Sequence, residues 1–322
     1  MTDTDAYLVG CSYELGARSL PVASLFEGTA SAGTADAGPA PGTGFAYYRE
    51  ATGDLFDLWR PAMERALKAS GTAPEDVDTV LFSTESLPRG ESAHRAVAEL
   101  MDGLGMRNAY PVTTGFADCS TATAAVGMAA ALVRSGGSRT AMVVSGDLVR
   151  TVLPEGRVIL GGSAIASDGA AAAVVSREPL GRQILGTARH MAWDLVGPGA
   201  EHRGQLRAQL AAYRRLFEDL WERTGCTARD VAAVLPSNLA AGTTRIFLGD
   251  VGFSAGQIFQ DNVSRIAHCL GSDPLINLVD HRAAASAPAA GADGPAPGSP
   301  VVLLGASAAH LAAVLLRDTE DH

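Results

Sequence analysis

Gly115-Phe-Ala-Asp-Cys-Ser-Thr-Ala-Thr-Ala124 is the stretch on which the reading of the fold turns. A polar turn ending at Cys119 runs into an apolar, alanine-rich helix expected over Ser120–Ser135, then a Gly/Ser turn, then the strand Ala141-Met-Val-Val144. The same grammar returns later in the chain. His268 precedes a helix-like Pro274-Leu-Ile-Asn-Leu-Val279, a Gly/Pro-rich loop follows, and Val301-Val-Leu-Leu304 reads as the closing strand. The echo predicts two similar α/β halves meeting near residue 176, assigned as residues 1–176 and 177–322.

Outward from this stretch, short Val- and Leu-rich runs alternate with helical patterns. Strands are expected at Ala6–Gly10, Thr79–Ser83, Thr140–Gly146, Ala170–Ser176, Val231–Pro236 and Val301–Gly305. Helices are expected at Asp54–Ser70, Ser92–Leu104, Ser120–Ser135, Gln205–Arg223, Thr243–Gly249 and Pro274–Ala285. Leu206, Leu210, Tyr213, Phe217 and Leu220 repeat at helical spacing and predict a buried stripe. Such alternation implies a layered α/β protein with largely parallel sheets. Gly28–Gly44 and Ala283–Pro300, rich in Gly, Ala and Pro, read as exposed loops.

Composition narrows the function classes. With 322 residues, 47% hydrophobic and 19% charged, and a mean hydropathy of +0.12, a disordered chain is excluded. A net charge of −10 and a pI near 5.1 argue against a non-specific grip on nucleic acid or an anionic membrane, leaving small molecules or proteins as partners. The acidic opening Met1-Thr-Asp-Thr-Asp-Ala6 lacks signal-peptide grammar, and no uncharged apolar run reaches membrane-spanning length. The expected location is cytoplasmic. Cys11, Cys119, Cys226 and Cys269 are scattered, with no Cys-x-x-Cys pair, so neither a disulfide framework nor a metal site is expected.

Cys119 falls at the first turn of its helix, where unpaired N–H groups and the helix dipole favour a thiolate. Such a thiolate is a competent acyl-accepting nucleophile. A small buried cysteine filling space is the alternative at this point. Arg203, Arg207 and Arg214 offer either a docking face for an acidic carrier protein or an ordinary solvated face. His190 and His202 have no evident partners, and His310 reads as a packing residue.

Ala117-Asp-Cys119, Val133-Arg-Ser-Gly136, Met142-Val-Val-Ser-Gly-Asp147 and Ser167-Asp-Gly-Ala-Ala-Ala172 resemble the thiolase superfamily, specifically ketoacyl-acyl-carrier-protein synthase III. The resemblance extends to Leu304-Gly-Ala-Ser307 and implies a thiolase-like fold, two similar halves forming a five-layered α-β-α-β-α unit, and a homodimer. It also breaks. Where that family carries its first catalytic histidine, Pro236-Ser-Asn-Leu-Ala240 places Ser237; where it carries a catalytic asparagine, Ala267-His-Cys-Leu-Gly-Ser-Asp273 places His268. Its coenzyme A-binding Arg-Thr-Gly-Ile segment is not recognisable between Phe26 and Tyr48, which gives weight to carrier-bound donors.

Decarboxylative condensation needs two neutral donors for an enolate, whereas transfer to a hydroxyl or amine needs a base and a group to orient it. Cys119, His268 and Asp273 fit the second demand and resemble a divergent, natural-product branch that uses a Cys-His-Asp triad. Asp273 also reads as a helix N-cap before Pro274, and His268 as a structural histidine. The resemblance implies an acyltransferase of antibiotic or polyketide biosynthesis, taking an acyl group from acyl-CoA or an acyl-carrier protein to a small-molecule acceptor, with no cofactor. A starter-unit condensing enzyme and an inactive partner subunit are the alternatives. The backbone N–H groups of Cys119 and Ala306 are the expected oxyanion hole, and His268 is expected to rest neutral as a general base.

Overall fold

The computed structural model describes residues 5–27, 42–87, 91–196, 202–285 and 298–319. Most of the two stretches read as loops, Gly28–Gly44 and Ala283–Pro300, lies outside them. In chain order the first elements are β1 (Tyr7–Leu15), β2 (Arg18–Pro21), β3 (Tyr47–Glu50), α1 (Leu55–Ser70), β4 (Thr79–Ser83), α2 (Glu91–Gly103) and β5 (Tyr110–Thr114). Next come α3 (Thr121–Ser135), β6 (Thr140–Asp147), α4 (Val149–Val152), β7 (Val158–Ile159), β8 (Ala164–Ile165), β9 (Gly169–Ser176) and β10 (Arg182–Met191). The chain continues through α5 (His202–Thr224), β11 (Ala233–Pro236), α6 (Ala241–Asp250), α7 (Asp261–Ile266), α8 (Asp273–Ala285), β12 (Val301–Ala306) and β13 (His310–Asp318).

Nine strands form one sheet in the order β11-β12-β13-β10-β1-β9-β6-β4-β5. From its middle outward, β1-β9-β6-β4 is antiparallel, antiparallel, then parallel, and β10-β13-β12-β11 repeats those relations in the same order. The two quartets join only where Tyr7 and Leu8 of β1 pair with Gln183 and Arg182 of β10. This repeat supports the proposed division into residues 1–176 and 177–322, whose boundary falls in the turn between β9 and β10. The expectation of a largely parallel sheet is corrected. Only three of the eight neighbouring pairs are parallel, because β9 runs back between β1 and β6, β13 runs back between β10 and β12, and β1 meets β10 antiparallel.

Alternation along the strands sorts side chains into layers. Val143 and Ala173 point to the middle, as do Leu235 and Leu303, where they meet Ala125, Val126 and Ala129 of α3 and Leu275 and Ile276 of α8. Met142 and Val144 point the other way, onto Leu58, Trp59 and Met63 of α1. On the far side, Val302 and Leu304 meet Tyr213, Phe217 and Leu220 of α5, with Leu210 partly buried beside them; the predicted stripe is corrected at Leu206, which is exposed one turn nearer the start of the helix. The result is five layers, α-β-α-β-α, the thiolase-like architecture.

Local sequence explains the helices. Asp54 caps α1 by accepting from the N–H groups of Phe56 and Asp57, the Asp57 carboxylate returns a bond to the Asp54 N–H, and Gly71 ends the helix in the left-handed region at φ 66°. α3 is small-residue-rich because it lies between two sheet faces. The approach is tightest at Gly305, where an added Cβ would come within 2.8 Å of Ser120 Cα, beside the nucleophile turn. Gly305→Ala should therefore force β12 and α3 apart and destabilise the fold by about 1–3 kcal/mol, the usual range for overpacking. A denaturant midpoint equal to that of the unmodified protein would refute this contact.

Candidate active site

Two turns meet in the central layer. Cys119 lies in a single 3-10 turn, Asp118–Ser120, that leads into α3, and Phe116 and Asp118 before it hold φ of 63° and 44°. His268 lies between α7 and α8, flanked by Ala267 and Leu270 at φ of 53° and 49°. Non-glycine residues in this left-handed region cost of order 1–3 kcal/mol each and persist only where their surroundings impose them. On the His268 side, that imposition is visible: the His268 N–H donates to Ile165 O at 2.9 Å and its carbonyl accepts from Ser167 N–H at 2.8 Å.

The two turns bring three sequence-predicted residues into one line. His268 Nε2 stands 3.0 Å from Cys119 Sγ, and His268 Nδ1 stands 2.5 Å from Asp273 Oδ2. His268 and Asp273 are fully buried, while Cys119 keeps 8% of its surface exposed. Asp273, read from the sequence as a helix cap, opens α8, and its carboxylate faces the histidine.

Burial pushes the His268 pKa down, but the Cys119 charge, the Asp273 charge and hydrogen bonds to both push it up further, to about 10. The expectation of a neutral resting histidine is thus corrected. The two partners thus bias His268 toward its protonated form, with Nε2 facing Cys119 Sγ and Nδ1 facing Asp273 Oδ2. The helix start invoked to favour neutrality belongs to Asp273 and not to His268.

The expected oxyanion role of the Ala306 N–H is also corrected. That group donates to Ser237 Oγ at 3.0 Å, and Ala306 is buried. The Ser307 N–H is likewise used, by His310 O at 2.9 Å, whereas Ala308 lines the same cavity as Cys119. Ser237, at the place where a histidine was looked for, therefore serves the β12 turn. His310 does more than pack: its Nδ1 lies 3.0 Å from Asp118 Oδ2, tying the β12–β13 turn to the nucleophile turn.

A cavity of about 630 Å³ opens over Cys119. Val152, Leu153, Ile159 and Leu270 supply an apolar wall; Glu85, Asp118 and Asp147 add three carboxylates, and among the described residues no Lys or Arg lines it. Burial pushes Asp147 up to about 6, against hydrogen bonds from Thr84 and Ser86 that pull it down. The remaining sequence candidates do not converge here. Arg214 is forked onto Asp250 at 2.6 and 2.7 Å, and the His190 side chain makes no hydrogen bond among the described residues. The side chains of His202 and Arg203 lie outside the described ones. Among the described residues no cluster of His, Cys, Asp or Glu is arranged to hold a metal, and no helix is long and apolar enough to cross a membrane.

Sequence reading missed Asn238. Its backbone N–H donates to Asp273 Oδ2 at 2.7 Å and its side-chain amide to Asp273 Oδ1 at 3.1 Å. Only its place beside Ser237 offered a signal.

A five-layered fold, here with a cysteine and a histidine delivered by two facing turns, is the thiolase-like fold. Residues 116–191 match the family model described as 3-oxoacyl-[acyl-carrier-protein] synthase III. Among solved structures, the priming β-ketosynthase of the R1128 polyketide biosynthetic pathway is 21% identical, with 97% of this chain and 96% of that one covered and a TM-score of 0.74. ChlB3, described as an acyltransferase, is 20% identical over 98% of both chains, with a TM-score of 0.80. Cerulenin-bound OleA of Xanthomonas campestris is 15% identical over 98% of this chain and all of its own, with a TM-score of 0.81. The family match takes in Cys119 near its start and covers less than half of the chain, while the likeness of fold runs through the whole length.

Proposed function

We propose that the protein is an acyltransferase that carries an acyl group on Cys119 from a thioester donor to a hydroxyl or amine acceptor. The observation that carries this reading is the hydrogen-bonded line from Cys119 through His268 to Asp273. Cys119 Sγ attacks the thioester carbonyl, the donor's C–S bond breaks, and the His268 imidazolium gives its Nε2 proton to the departing thiolate. Acylation takes the sulfur out of its pairing with His268 and so removes one influence that raises the ring, which has just given up its proton and can act as a base. Neutral His268 takes the proton of the acceptor as its oxygen or nitrogen attacks the acyl-cysteine; Sγ leaves and the resting pair is restored. Asp273 holds the ring through Nδ1 in both steps.

The cavity supports the same assignment. Its apolar wall suits an acyl chain, and its three carboxylates, with no cation among its described lining residues, favour a donor whose phosphates remain outside, as on a carrier protein. The N–H groups of Cys119 and Ala308 are the proposed oxyanion donors, in place of the Ala306 N–H. Condensation is less well served, since Ser237 faces Ala306 and leaves the enolate one family donor short. The test is to supply acyl-CoA and acyl-carrier donors, follow the intact mass, and then offer alcohols, amines and a malonyl thioester. Ester or amide formation without CO2 release is expected, and a C–C-bonded product with matching CO2 would replace transfer by condensation.

An exposed sheet edge supports a homodimer, as the sequence resemblance implies. β5 closes the sheet with one side unpaired, and Tyr110, Pro111, Val112 and Thr113 on it are exposed. Sedimentation equilibrium should give the mass of two chains. A single-chain mass at about 1 mg/ml, tens of micromolar for a domain this size, would refute the dimer.

A further inference from the structure

Asp273 accepts four hydrogen bonds. His268 Nδ1 and the Asn238 N–H meet Oδ2 at 2.5 and 2.7 Å; the Cys269 N–H and Asn238 Nδ2 meet Oδ1 at 2.7 and 3.1 Å. Asn238 thus holds both oxygens. Its own orientation is fixed in turn: Nδ2 also donates to Ala267 O at 2.9 Å, and its Oδ1 accepts from Asn277 Nδ2 at 3.0 Å. A flipped amide would set its oxygen against a carboxylate and a carbonyl. Asn277 is pinned by a second bond from Nδ2 to Pro236 O at 2.7 Å and by Asn262 Nδ2, 2.8 Å from its Oδ1; Asn262 in turn accepts from Arg265. All three asparagines are buried, and burying such amides is costly unless every polar atom is met.

We propose that Asn238 is a positioning residue, whose amide, itself locked by Asn277 and Asn262, holds the Asp273 carboxylate on His268 Nδ1. The proposal rests on the reading of Cys119, His268 and Asp273 as the working line. It adds a residue that acts only through Asp273. Other charged or titratable groups near His268 are accounted for. Cys119 faces it from the turn before α3. Cys269 beside Asp273 has its thiol pushed well up by burial. Asp168, before β9, is engaged by Arg157 and by the Ala51 and Val149 N–H groups, and Arg265 is held by Asn262 and Asp280.

If Asn238 is replaced by the similarly sized Leu, Asp273 loses one side-chain donor and the wall that fixes its rotation. The support it lends to the imidazolium then weakens. Ring-labelled histidine NMR, with His268→Ala to assign the signal, reads this directly and needs no acyl donor. In Asn238→Leu the His268 inflection should move down by about one pH unit or more from its place near 10. Asp273→Asn should move it the same way, and the double variant should add little to Asp273→Asn alone.

An unchanged inflection in Asn238→Leu, while Asp273→Asn shifts it, would overturn the proposal. So would two shifts that simply add. Should Asn238→Leu fail to fold, Asn238→Ser, polar but too short to reach Oδ1, carries the same measurement. An inflection that behaves as expected in a protein that transfers no acyl group would leave the positioning role standing and remove the acyl-transfer reading alone.

Discussion

Incubated with an acyl thioester that it accepts, the protein should gain the mass of one acyl group, mapped to Cys119, and Cys119→Ala should gain none. Four free cysteines make this a discriminating outcome. Cys11 is pushed up to about 12 by burial and Cys269 well above the usual thiol value, so neither supplies thiolate near neutral pH. Cys226 is half-buried behind α5, with the apolar cluster of that helix around it. Of the four, only Cys119 opens on a cavity with a histidine ring in hydrogen-bond contact. Because the Cys119 side chain is small and Ala122, Ala124 and Ala125 already follow it, Cys119→Ala should fold, and its melting transition provides the control. An adduct on Cys11, Cys226 or Cys269 that survives Cys119→Ala would sink the nucleophile assignment.

His268→Ala should lower turnover by about 10²–10⁴-fold, the size of a lost general acid-base group. Both half-reactions should suffer, since the ring protonates the leaving thiolate in the first and accepts the acceptor's proton in the second. His268→Asn separates the chemistries. It replaces the ring with a neutral amide of the kind the condensing relatives are expected to use there, yet provides no base. Transfer to an alcohol or amine should therefore remain lost, and rescue of that transfer by asparagine would exclude His268 as the base. In the unmodified protein the acyl-enzyme should form across neutral pH and lose this advantage as pH rises through about 10. Above that point His268 gives up the proton it offers to the leaving group. A loading rate that climbs steadily through that pH, with no inflection, would show that the imidazolium plays no part.

Much of the architecture was legible because periodicity survives in a single chain. α1, α3 and α8 fall within a residue or so of their expected bounds, and β4 falls at Thr79–Ser83 as read. Asp54, Gly71 and Gly136 mark ends through local hydrogen bonds and left-handed φ, which need no distant partner. β10 and β13 were not legible. In β10 polar residues sit on the half-covered face, and in β13 a run of Ala, Val and Leu buried on both faces has no period to read. Missing them made the sheet look mainly parallel.

The site divides in the same way. Cys119 stood out at the start of an apolar helix, and His268 and Asp273 stood out through the resemblance, which sets His268 at the place of the family's catalytic asparagine; both signals are carried by the chain itself. What those signals left undecided was every consequence of desolvation and of long-range contact. Residues 119 and 268 are 3.0 Å apart only because the two halves fold onto a shared middle layer, and that proximity raises the pKa of a histidine expected to rest neutral. Ala306 lost its expected role to Ser237, and Asn238 gained one at Asp273, through hydrogen bonds that span 69 and 35 residues of chain. The sequence by itself determined the order of elements and the kinds of groups available for chemistry. Protonation, orientation and which backbone amides remain free were decided by the tertiary structure, since each depends on what lies within a few ångströms once water has been excluded.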